Sequence, residues 1–303
     1  MGRTRDIDIS PKTKRKIEDI KNDREHGANY LAIEALNVLK FGVEDTKEKD
    51  VPVFSSYLKQ IGKELMEVRP SMAVITNVVN MVIYTLVKES KKTTNLKILK
   101  GILTKSINEL IKDLENSIFR IAAHGKKLIK DKSTIMTHSW SRTFIEIMRN
   151  AREKVKGVIV LEGRPLFEGR KTAKELLELG ILVTLITDAQ AGYFMSDVDL
   201  VLVGADSILP NGSVVNKVGT YLLALSARDK GIPFYAACSS YKIRSDEELE
   251  LEEKEGKEVM EEPLPNLKVR NVYFDITPPE LIVGIITEKG VLKPNEVINY
   301  LNV

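Results

Sequence analysis

The sequence is poor in the residues that carry sulfur and metal chemistry. A single cysteine, Cys238, among 303 residues excludes an intramolecular disulfide, and three histidines leave no Cys/His set at zinc spacing. No apolar run approaches the 18 residues of a membrane-spanning helix. The amino-terminal "MGRTRDIDISPKTKRK" is charged, with no apolar core of a secretory leader. These absences predict a protein of the reducing cytoplasm that holds no metal and touches no membrane. An excess of one charge sign is also missing. Lys and Arg number 46 against 43 Asp and Glu, and a net charge of +3 is too small to imply direct nucleic-acid binding. The glycine-rich dinucleotide fingerprint and the Walker loop do not occur, which argues against NAD or a nucleoside triphosphate held by those devices and implies no cofactor. Few aromatics beside many Lys, Glu and Ile suit a thermophile.

What is present divides into two halves with different periods. Residues 11 to 125 repeat apolar positions at three- and four-residue spacing, as in Ile17, Ile20, Tyr30, Ile33, Leu36 and Leu39, and predict a helical domain of about five helices. Pro70 and the polar "KESKKTTN" supply breaks. After Gly125, short β-branched runs ("STIMTH", "GVIVLE", "LVTLIT", "VDLVLVG", "PFYAAC", "VYFD") alternate with amphipathic segments. Strands apolar on both faces and separated by helices imply a parallel sheet covered on two sides, a Rossmann-like α/β domain over residues 126–303. The acidic segment 244–262 lacks an apolar face and reads as a solvated loop or short exposed helix.

Ligands of open parallel sheets bind beyond the carboxyl ends of the strands. The segments in those places are "THSWSR", "EGRP", "TDAQAGYF", "GADSILPNGSVVNKVGT" and "CSSYK". Each contributes hydroxyl, acidic or basic groups to one crevice, and loops in general also contain such residues. Helix starts favour phosphate, and Ser139 and Ser141 lie at one, with Arg142 and Arg164 adding charge-assisted hydrogen bonds.

The stretch from "GRPLFEGRK" through "DAQAGYFM", "GADS", "NKVGT" and "SSYK" to "FDITPPELI" resembles the family that contains the alpha, beta and delta subunits of translation initiation factor 2B. That family also includes methylthioribose-1-phosphate isomerase and archaeal ribose-1,5-bisphosphate isomerase. The resemblance, weaker over the helical half through "DREHGA" and "VRPS", implies a helical amino-terminal domain and a Rossmann-like domain through which two or more copies associate. The isomerases look like "THCNS" or "THCHS", with a catalytic cysteine, and "GADR", with a catalytic aspartate. This chain reads "THSWS" and "GADS", so Asp206 is kept and Ser139 stands at the cysteine position; "THSWSR" is closer to the alpha subunit's "THAYSR". The resemblance to the isomerases also places Gly27, Ala28, Arg69, Arg164, Asp206, Asn216 and Lys217 around a phosphorylated sugar, and Ser141, Arg142, Gln190 and Lys242 of the strand-end segments join them as candidates to bind a phosphorylated sugar or nucleotide. Bland readings stand beside these: Gly27 permits a turn, Arg69 pairs at the surface and Asn216 caps a helix.

A thiol ionises readily near a helix start, whereas a serine hydroxyl requires a paired base. His138 points to the opposite face of its strand from Ser139 and is a poor partner, and Cys238 reads as a buried structural cysteine. The expectation is therefore a regulatory initiation-factor-2B-like subunit without isomerase activity, with translation initiation factor 2 as its partner by analogy. The alternative is an aldose–ketose isomerase acting on ribose 1,5-bisphosphate or a related sugar 1-phosphate. A third reading is an assembly subunit with an empty pocket.

Overall fold

The computed structural model describes residues 9–23, 26–47, 50–69, 72–247, 249, 251, 253–262 and 264–301. Arg24 and Glu25 of "DREHGA", Pro70 and Ser71 of "VRPS", and Glu248, Glu250 and Glu252 of the acidic segment lie outside these. By compactness the chain divides into two units, Met1–Asn116 and Ser117–Leu301. The sequence marks its change of period after Gly125; the division by compactness falls earlier, inside the longest helix.

The first unit is helical: α1 (Pro11–Asn22), α2 (Ala28–Asp45), α3 (Val51–Val68), α4 (Ala73–Ser90) and the beginning of α5 (Leu96–Leu128). Ser10 and Asp50 start α1 and α3 by accepting hydrogen bonds from the N–H groups of Thr13 (3.2 Å) and Val53 (2.8 Å), each followed by a proline in the first turn. The apolar stripes meet in a core that includes Leu36, Leu39, Phe54, Leu58, Ile61, Val78 and Val82, all fully buried. Each such side chain contributes about 1.5–3 kcal/mol by leaving water.

The second unit alternates strand and helix: β1 (Ser133–His138), α6 (Arg142–Ala151), β2 (Val155–Leu161), α7 (Glu168–Glu178), β3 (Val183–Ile186), α8 (Ala191–Phe194), β4 (Leu200–Gly204), β5 (Ser207–Ile208), β6 (Val214–Lys217), α9 (Thr220–Asp229), β7 (Phe234–Ala237), β8 (Phe274–Thr277), β9 (Gly284–Thr287) and β10 (Gly290–Leu292). Seven strands form one sheet in the order β10-β9-β7-β4-β1-β2-β3, parallel throughout except for β10. Consecutive residues enter opposite cores. Met136, Ile159, Val201 and Val203 pack with residues of α8 and α9, whereas Ile135, Val158, Val160, Leu200 and Leu202 pack with the end of α5, α6 and α7. The strands are apolar on both faces because both faces are covered.

The run "VYFD" was expected in the parallel sheet. Its strand β8 instead joins β5 and β6 in a separate three-stranded antiparallel sheet, in the order β5-β6-β8. No described helix is long and apolar enough to cross a membrane, and no described cluster of His, Cys, Asp or Glu is arranged to hold a metal ion.

Candidate functional site

The chain lays down β1, β2 and β3 in one direction, then returns past β1 to place β4 on its other side. This reversal opens a crevice beyond the carboxyl ends of β1 and β4, where open α/β sheets bind ligands. Ser139 follows β1 and Asp206 follows β4, so the two candidate catalytic residues flank the switch point.

Ser139 adopts a left-handed φ of 63°, a conformation that costs a non-glycine residue about 1–3 kcal/mol. Thr172 of α7 donates to its carbonyl at 2.8 Å and holds the turn. Ser141 caps α6 by accepting from Phe144 N–H at 3.3 Å. A Cβ on Gly204 would lie 2.7 Å from Ser141 Oγ, so glycine at the end of β4 is what lets α6 begin against it; Asn216 Oδ1 lies 3.9 Å from the same point.

Asp206 is half-buried. Its N–H donates to Val215 O at 2.8 Å, which fixes the start of its loop to β6. Lys242 donates from Nζ to Ala205 O at 2.6 Å and braces the same loop from the end of β7. The turn carrying Lys242 is held by Glu288, a buried carboxylate that accepts from the N–H and Oγ of Ser240. Strand β6 contributes Asn216 and Lys217, 6% and 4% exposed. Asn216 donates to Thr220 Oγ1 at 3.0 Å and does not cap α9. That role belongs to Asp275 of β8, which accepts from Gly219 N–H (2.7 Å) and Tyr221 N–H (3.2 Å); Gly219 has a φ of 104°. Burial raises the Asp275 pKa to about 6 despite these two donors.

Lys217 Nζ lies 2.8 Å from Glu168 Oε1 and 3.1 Å from the centre of the Tyr273 ring. Burial lowers its pKa, opposed by the charge of Glu168 and also by that of Asp206. The approach to Glu168 is an ion pair without an aligned hydrogen bond. Tyr273 donates its O–H to Glu168 Oε1 at 3.1 Å, and burial raises the phenol's pKa. His138 ends β1 with Nε2 2.8 Å from Val218 O. Because a carbonyl only accepts, Nε2 carries the hydrogen, and burial keeps the ring neutral by lowering its pKa. Its Nδ1 stands 3.8 Å from Asp188 Oδ1. Asp188 itself accepts from the N–H groups of Gly163 (2.9 Å) and Arg164 (2.8 Å) and shapes the turn after β2. Three buried polar atoms here make no hydrogen bond: His138 Nδ1, Glu168 Oε2 and Lys217 Nζ. Unsatisfied buried atoms are costly, and three in one crevice mark a place built for a polar ligand.

The remaining candidates make other contacts. Arg164 is exposed, donates to Val259 O at 2.9 Å and lies over the Phe167 ring. Arg142 is exposed on the first turn of α6. Gln190 is exposed and caps its own turn by accepting from Thr187 N–H. Gly27, Ala28 and Arg69 belong to the first unit, where Gly27 precedes α2 and Arg69 donates to Asp23 O. Sequence reasoning missed Glu168, Asp188, Tyr273 and Asp275. Asp188 was quoted in "TDAQAGYF" without being singled out, and Glu168 stands four residues beyond Arg164.

Fold and crevice together define an α/β protein with a cluster of buried polar groups at the switch point of a doubly wound sheet. Residues 24–294 match the initiation factor 2 subunit family, and the chain belongs to that family. It is 36% identical over 295 residues to ribose 1,5-bisphosphate isomerase of Thermococcus kodakarensis, covering 94% of this chain and 92% of that protein. The ribose 1,5-bisphosphate isomerase of Pyrococcus furiosus is 37% identical, with 94% and 91% covered. Among solved structures, the translation initiation factor eIF-2B of Pyrococcus horikoshii superposes with a TM-score of 0.80 at 32% identity, covering 96% of this chain and all of that one.

These relatives correct the expectation of a regulatory subunit without isomerase activity. Relatives named as isomerases align along nine-tenths of the chain. The expectation rested on the missing thiol, but a thiol is one means of moving a proton among several.

Proposed function

We propose that the protein is an aldose–ketose isomerase acting on ribose 1,5-bisphosphate or a related sugar 1-phosphate. The observation that carries this reading is the position of Ser139 after β1 and Asp206 after β4, the two strands that flank the switch point, with the buried Lys217 paired to Glu168 and sensing the charge of Asp206. The isomerase relatives support the substrate class.

The chemistry requires a proton delivered to the ring oxygen as the sugar opens, a hydrogen moved from C2 to C1, and a proton removed from the C2 hydroxyl. Asp206 carries one of the oxygen proton transfers, and the crevice side of Ser139 meets the other. The free N–H groups at the start of α6 and the buried ammonium of Lys217 attract phosphate. Asn216, held by Thr220, presents an amide oxygen beside Ser141 for a sugar hydroxyl. Phosphorus NMR of ribose 1,5-bisphosphate incubated with the purified protein tests the reading. Appearance of the ketose bisphosphate supports it, and an unchanged spectrum at micromolar enzyme sinks it. Pairing of two copies through the second unit belongs to the same proposal, and sedimentation velocity is its measurement.

A further inference from the structure

Serine in place of a thiol poses a specific problem, because a hydroxyl shuttles protons well only beside a base. His138 does not serve: its Nε2 hydrogen is committed to Val218 O, and Nδ1 faces Asp188. The structure offers another group. Gly163 has a φ of 74°, and the point where its Cβ would stand is 3.5 Å from Ser139 Cα and 3.4 Å from Glu168 Oε2. The same point beside Gly163 thus borders both the backbone of Ser139 and the free carboxylate oxygen of Glu168, and the left-handed φ there favours glycine. The Ser139 hydroxyl makes no hydrogen bond among the described residues. Glu168 Oε1 is occupied by Tyr273 and Lys217, whereas Oε2 is buried without a donor.

We propose that Glu168 is the proton acceptor that acts through Ser139, an inference resting on the isomerase reading above. As Ser139 Oγ takes the proton of the substrate's C2 hydroxyl, its own proton passes to Glu168 Oε2. One O–H bond breaks on the sugar and one forms on Glu168, with Ser139 unchanged. The ring oxygen receives its proton from Asp206, and exchange with water resets both carboxyl groups. Lys217 balances the charge of Glu168 from the Oε1 side, so a single carboxylate joins the phosphate-attracting ammonium to the proton-moving hydroxyl.

The test follows turnover of ribose 1,5-bisphosphate by phosphorus NMR with wild type, Glu168→Gln, Ser139→Cys and the double variant across pH. In Glu168→Gln, kcat is expected to fall about 100-fold or more with KM within a few-fold, and the acid limb of the pH profile should disappear. Ser139→Cys in the Glu168→Gln background restores kcat to within about tenfold of wild type, because a thiol with a pKa of about 8.5 ionises without that carboxylate. A Glu168→Gln enzyme with wild-type kcat and an intact acid limb overturns the inference and leaves the isomerase reading standing. So does a loss that appears in KM and is not rescued by the thiol, since Glu168 then serves Lys217 alone. Silence of the wild type overturns both. If Glu168→Gln does not fold, Glu168→Asp keeps the charge beside Lys217 while withdrawing it from Ser139; a fall in kcat at constant KM supports the inference, and unchanged kcat overturns it.

Discussion

Lys217 and Glu168 form an ion pair 2.8 Å long, with the lysine 4% exposed and lying over the face of Tyr273. Breaking a buried pair by removing one partner leaves the other charge uncompensated. Lys217→Met is expected to destabilise the protein by about 1–3 kcal/mol, below the fully buried figure because Glu168 keeps some contact with water. Glu168→Gln in the same chain should recover at least about 1 kcal/mol of that loss, since the uncompensated charge is gone. Denaturant unfolding of the two single variants and the double variant measures the coupling. Additive losses would mean that solvent already screens the pair.

Asp206 stands on a loop held by main-chain acceptors, its own N–H on Val215 O and Lys242 on Ala205 O, and these bonds remain when its carboxylate becomes an amide. Asp206→Asn should lower kcat by about 10²–10⁴-fold, the usual contribution of one positioned acid or base, with a melting temperature within a few degrees of wild type. Full activity in this variant would remove the aspartate from the reaction.

Gly163 combines a left-handed backbone with a place beside both Ser139 and Glu168. Gly163→Ala should cost about 1 kcal/mol or more through the strained φ. The added methyl would stand 3.4 Å from Glu168 Oε2 and 3.5 Å from Ser139 Cα, against both members of the proposed relay, so turnover is expected to fall further than the lost stability explains. Comparing folded fraction with specific activity at the same temperature separates the two effects.

Asp275 links stability to pH. Its pKa is 3.8 in a free chain and about 6 in the folded protein, so the folded state binds the proton more tightly. The stabilisation from that proton is complete below about pH 3.8 and is lost as pH rises through about 6, by up to about 3 kcal/mol. Asp275→Asn does not titrate. The stability of wild type relative to this variant should therefore fall between about pH 4 and 6.5 and stay constant above, as read from denaturant unfolding at each pH. A flat difference would show that the donors from α9 outweigh burial.

The parallel strands and their helices were legible because each is several residues long and apolar on both faces, as in Ile135 and Met136 or Val158 and Ile159. The small antiparallel sheet was not. β5 and β6 are short and set in a polar loop segment that masks any period, and β8 owes its place in this sheet to pairing with β6. β9 and β10, four and three residues long, were not read either. In the crevice, Ser139, Asp206 and Lys242 were legible because each follows a strand run, and Asn216 and Lys217 because they stand in the family's "NKVGT" segment. Glu168 was missed because its position depends on the turn at Gly163 and on a lysine far along the chain. Tyr273 and Asp275 were missed because "VYFD", read as a strand, was assigned to the parallel sheet and not beside β6. Trp140 donates to Glu175 and lies under Lys171, both on α7.

Cys238 is fully buried, and burial pushes its thiol pKa up to about 12, so the chain's single thiol is neither ionised nor reachable. With serine after β1, the proposed reaction involves no sulfhydryl. Peroxide, nitrosating agents and disulfide exchange, which silence thiol-dependent enzymes by converting a reactive sulfur to sulfenic acid or a mixed disulfide, find no target there. A hydroxyl served by a distant carboxylate would thus give up the ease of thiolate formation and gain indifference to the oxidation state of its surroundings.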